Sequence, residues 1–129
     1  MKYLSMSAVI LLGCFAFAGQ RMPASGGYVV GIRLKGPNWT PDLDTDAGRR
    51  MMKGHIAVID KMLASGKLLA AGPFTDPTEL RGLLLFRDCT VEQAREMAEE
   101  DPVVKEGQIR MEYHVWTAPQ KLKPAPHGT

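Results

Sequence analysis

Two cysteines are all the chain carries, Cys14 and Cys89, so no disulfide framework can brace it. Charge of either sign is scarcely in excess: 16 lysines and arginines stand against 14 aspartates and glutamates, and the signs are interleaved. That balance gives no electrostatic case for nucleic acid. No phosphate-binding glycine loop, dinucleotide fingerprint or defensible Ser-His-Asp pattern occurs. Closely spaced ligand pairs are missing too, so neither a metal nor another cofactor is expected. Beyond Ala18 no apolar run approaches the ~20 residues of a membrane span. What remains is one domain of ordinary globular composition, 129 residues at 45% hydrophobic and 23% charged.

The opening residues read as a leader outside that domain. Lys2 supplies a positive charge, Tyr3 to Ala18 is almost uninterruptedly apolar, and Ala16-Phe17-Ala18 offers the small-x-small cleavage pattern. Two processing outcomes lead, with an uncleaved anchor a distant third. Cleavage after Ala18 starts the mature chain at Gly19, whereas Leu11-Leu12-Gly13-Cys14 resembles a lipobox that would anchor Cys14 to lipid. Leu12 and the apolar run past Cys14 favour cleavage. Either route implies export, to the periplasm or the medium. Residues 19–27 read as a small polar tether and 118–129 as a flexible proline-rich tail.

Between them the pattern alternates strand and helix. Tyr28 to Leu34 is β-rich, and Lys35 to Asp44 is a loop with two prolines. A helix begins near Thr45 and stops at Ser65-Gly66, where glycine suits the C-terminal cap. Lys67 to Ala71 is a second strand ended by Gly72-Pro73, and Gly82 to Arg87 a third. Thr90 and Gln93 form a capping box for a helix over Val91 to Glu100, which Asp101-Pro102 stops. Gln108 to Thr117 alternates as the last strand. The class is therefore α+β, ferredoxin-like β-α-β-β-α-β, with two helices on one face of a four-stranded antiparallel sheet. Leu83-Leu84-Leu85-Phe86 is apolar at consecutive positions, so both faces of that strand want cover. A second copy packed sheet to sheet would supply it; the alternative is a monomer whose Lys35–Asp44 loop folds over the open face.

His55 is the residue that asks for chemistry. Wound at about 100° per residue, Met51, Met52, Ile56, Val58, Ile59, Met62 and Leu63 share one arc. His55 falls inside it. A ring aimed at the core needs partners for its nitrogens or costs about 1–3 kcal/mol. Asp101, at a helix end with little backbone to neutralise it, would gain from such a donor. A carboxylate on one ring nitrogen fixes the tautomer and leaves the other as a base. The plainer reading is a tie between two elements. Trp39 either closes over a ligand or anchors its loop, and Cys89 reads as a packed structural thiol. Arg49 and Arg50 stand at the wrong helix end for cations, which points to solvated charge or an anionic partner. His114 shares a strand face with Arg110, Glu112 and Trp116, a surface or interface position; a metal shared with His55 would lack a close-spaced pair.

His55 in mid-helix, Ala70-Ala71-Gly72-Pro73-Phe74 at a strand end and Glu100-Asp101-Pro102 after the second helix stand together in that frame. In order and spacing they resemble the YCII-related (YciI-like) family of dimeric α/β-barrel proteins, over roughly Tyr28 to Trp116. The resemblance implies a homodimer with a cleft beside the histidine. It also implies a catalytic His55–Asp101 pair, with Gly72 and Pro73 lining the cleft. One branch of the family removes chloride from a chlorinated hydroxyquinone, and most members have no assigned substrate. The leader and the proline-rich loop depart from the usual pattern. The expectation is thus an exported small enzyme, lyase-like, that abstracts a proton through His55 and Asp101, with Gly72, Pro73 and Trp39 at the substrate. The alternative is a dimeric module that binds a small molecule, or merely builds structure, without turnover.

Overall fold

The computed structural model describes residues 27–118. The proposed leader and almost all of the tether and tail lie outside them. Four strands and three helices follow in the order β1 (Gly27–Lys35), α1 (Asp46–Ala64), β2 (Leu68–Pro73), β3 (Leu80–Arg87), α2 (Val91–Ala98), α3 (Pro102–Lys105) and β4 (Ile109–Thr117). The sheet is antiparallel throughout its pairings and ordered β2-β3-β1-β4. This is the expected α+β ferredoxin-like arrangement.

Local chemistry sets the boundaries. Thr45 caps α1 by accepting from the Gly48 amide, and Gly66, at φ +73, follows the Ser65 C-cap in a conformation that glycine adopts without strain. The Thr90–Gln93 capping box starts α2 as expected. Two boundaries differ from the sequence reading. Gly72-Pro73 does not follow β2 but forms its last two residues, because β2 is an edge strand where a missing amide costs no ladder bond. Asp101-Pro102 stops one helix and begins another. Proline suits the first turn of α3, and Asp101 caps it through its side chain.

Val29, Leu84, Phe86, Met62, Leu68 and Ala94 make the main core between helices and sheet. Burial pushes the enclosed Cys89 thiol up, in keeping with a packing role. Met51, Val103 and Ile109 form a second core, against which Trp39 and Leu43 of the β1–α1 loop pack. The loop therefore lies on the helix side and does not cover the other face. That face carries Tyr28, Val30, Ile32, Leu83, Leu85 and Trp116, by strand alternation and pairing register. The apolar arc of α1 is wider than its cover: Ile56 and Leu63, together at one edge of the arc, stay exposed.

Candidate active site

Strand β1 runs through the middle of the sheet, and its helix-facing residues are Val29, Gly31 and Arg33. The third of these is a largely buried cation. Across from it α1 presents His55 and α3 presents Asp101. His55 Nδ1 lies 2.6 Å from Asp101 Oδ2, and since a carboxylate can only accept, that nitrogen carries the hydrogen. Asp101 Oδ1 accepts the Val103 amide at 3.0 Å, so one carboxylate both caps α3 and orients the ring. Arg33 Nη1 donates to His55 Nε2 at 3.3 Å, while Arg33 Nη2 stands 3.7 Å from Asp101 Oδ2. A guanidinium can only donate, so in this geometry Nδ1 is the donating nitrogen and Nε2 the one that accepts from Arg33. Burial, only partly offset by Asp101, holds the Arg33 guanidinium below its ordinary value.

Close approach of α1 and α3 makes the short His55–Asp101 bond possible. A Cβ on Gly54 would lie 2.8 Å from Pro102 Cγ, so any larger residue there pushes the helices apart. Gly54→Ala is expected to cost about 1–2 kcal/mol despite its better helix propensity. The His55 ring resonances should shift with it. An unchanged melting temperature together with an unchanged ring spectrum would contradict that contact.

The ring opens onto two neighbouring cavities of about 270 and 330 Å³. Both are bordered by Arg33, Met52, His55, Pro73 and Arg81. Trp39 and Phe74 line the first, and Gly72 the second. Residues 36–117 match the YCII-related domain family. The chain belongs to that family. In fold this YCII-related domain is similar to the 5-chloro-2-hydroxyhydroquinone dehydrochlorinase of Burkholderia phenoliruptrix AC1100, solved in complex with 2,5-dihydroxybenzoquinone. That likeness has a TM-score of 0.50 at 19% identity, over 70% of this chain and 93% of the other. No curated protein matches the YCII-related chain by sequence.

The residues singled out from sequence are thus partly gathered in one place. His55, Asp101, Gly72, Pro73 and Trp39 surround or support the two cavities. His114 does not join them. It pairs with Val30 on the opposite face of the sheet and lies near Glu112, well exposed. Among the described residues no group of three or more histidines, cysteines and carboxylates is placed to hold a metal. Arg49 answers its unfavourable helix end with exposed ion pairs to Asp44 and Asp46.

Two site residues escaped the sequence reading. Arg33 had a legible signal: it follows Val29 and Gly31 in strict alternation, so a strand buried on that side carries it inward. Arg81 had none. The β1–β3 register pairs Arg33 with Gly82 and then Leu34 with Leu80, so Arg81 is the extra residue of a bulge. Plain alternation assigns it to the face away from Gly82 and Leu84; the bulge brings it to the cavity.

Proposed function

We propose that this YCII-related chain is a small enzyme in which His55 takes a proton from a hydroxylated or carbonyl-bearing substrate, Asp101 holding the ring. The observation that carries the reading is the 2.6 Å Nδ1–Oδ2 bond at the edge of a cavity. It dedicates one nitrogen to orientation and leaves Nε2 as the basic one. In the step, a C–H or O–H bond of the substrate breaks, the proton goes to Nε2 and the electron pair stays on the substrate as an oxyanion. Expulsion of a leaving group would complete a lyase-like elimination. The dehydrochlorination named for the structural neighbour is an elimination of that kind. The leader reading puts this chemistry outside the cytoplasm.

The substrate-independent assay is exchange of carbon-bound hydrogen in D₂O, followed by proton NMR over a panel of small ketones and hydroxyquinones. His55→Gln should slow any exchange the wild type catalyses by about 10²–10⁴-fold; exchange that keeps the wild-type rate in the variant rejects His55 as the base. Binding without turnover is the second reading, favoured by the Arg33 N–H that occupies Nε2 in this structure. It requires affinity in the absence of exchange.

The domain acts as a homodimer in this proposal, joined through the sheet face that carries Val30, Ile32, Leu83 and Leu85. The β1–α1 loop packs on the helix side, which leaves that face to a second copy. Leu85→Lys, two charges per dimer across a two-fold axis, should give a folded monomer by sedimentation velocity. A wild type already monomeric at micromolar concentration would end the dimer proposal.

A further inference from the structure

The charges around the cavities do not balance. Arg33 and Arg81 line both, and neither lining includes a carboxylate. Asp101, the carboxylate beside Arg33, already accepts from the Val103 amide and His55 Nδ1, and Arg33 shares what remains at 3.7 Å. Arg81 donates through Nη2 to the carbonyls of Thr78 (2.7 Å) and Asp76 (3.4 Å). Its Nε is buried without a hydrogen-bond partner among the described residues. A buried donor left unpaired is costly and marks this arginine as one whose surroundings in the free protein do not satisfy it. The Arg81 guanidinium also lies over the Trp39 ring, 5.3 Å from its centroid, which fixes its position at the wall. Apart from His55 and Gln108 the remaining wall is apolar, with Met51, Phe74 and Ile109 beside Trp39.

We propose that the cavity is a site for a small planar organic anion, its oxygen held between Arg33 and Arg81 and its flat body against Trp39 and Phe74. The proposal rests on the proton-abstraction reading in one respect, since it names the class of molecule that His55 would act on. It adds a coupling. An anionic oxygen that accepts from Arg33 Nη1 draws that N–H away from His55 Nε2. The lone pair then opens to the cavity only when a charged ligand is in place. A neutral ligand of the same shape leaves Arg33 on the ring. Arg33 is in this sense a positioning residue for the base.

Benzoate and benzamide, nearly equal in shape and unequal in charge, test this on the purified protein by calorimetry and by ¹⁵N NMR of the histidine rings. Benzoate should bind at least about tenfold more tightly than benzamide, the difference a charge-assisted contact supplies. Arg81→Gln should remove that preference, and Arg81→Lys should restore part of it. The His55 Nε2 resonance should move with benzoate and not with benzamide. Equal affinity for the two probes, no benzoate binding at millimolar concentration, or benzoate affinity indifferent to Arg81→Gln would each overturn the proposal. None of these touches the role of His55, which fails separately if D₂O exchange keeps its wild-type rate in His55→Gln.

Discussion

His55→Gln is expected to slow carbon-bound hydrogen exchange by about 10²–10⁴-fold while the domain keeps its fold. Glutamine is the informative replacement because it reproduces both hydrogen bonds of the ring without its basicity. The amide NH₂ can donate to Asp101 Oδ2, and the amide oxygen can accept from Arg33 Nη1, the two partners His55 has now. A purely structural tie predicts no effect on turnover, whether or not the melting temperature falls. Exchange rates and thermal melts of the same preparations separate the two. The size of the effect follows from what is removed, since no other imidazole lies on this side of the sheet among the described residues.

Asp101→Ala is expected to be the most destabilising single substitution at the site, by about 3–5 kcal/mol. Three things fail at once. The N-cap of α3 loses its acceptor for the Val103 amide, which by itself is worth about 1 kcal/mol. The His55 Nδ1–H loses its partner, and the largely buried Arg33 loses the nearest compensating carboxylate. The side chain is only 4% exposed, so water cannot take over these roles. For a domain of this size the melting temperature should fall by at least roughly 12 °C. Asp101→Asn, which retains an oxygen for the cap, should cost clearly less. A loss under about 1 kcal/mol in the alanine variant would mean that the carboxylate does no more than cap α3.

The strand and helix pattern was legible because its signals are local. Thr90-x-x-Gln93, Ser65-Gly66 and the alternation of Tyr28 to Leu34 each fix a backbone conformation within a few residues. The His55–Asp101 pair was legible for a different reason, as a buried ring demands a partner and the acidic candidate stood at a helix break. Two kinds of information were not local. Pro73 stays in a strand because β2 happens to lie at the sheet's edge, a property of strand order. Arg81 reaches the cavity through a bulge that is set by pairing with β1, and nothing in Leu80-Arg81-Gly82 announces it. The α3 helix lies between these cases. Asp-Pro was read as a stop, although the same dipeptide, an N-cap followed by proline in the first turn, is equally a start.

The pairing of β1 with β4 sets Gly27 opposite Thr117, so the domain begins and finishes side by side at one corner of the sheet. Arg33 stands six residues further along β1, roughly 20 Å away at strand rise. That corner is the one remote from Arg33 and the cavity it lines. A label or support coupled at that corner therefore sits about 20 Å from Arg33, and is expected to leave ligand affinity unchanged.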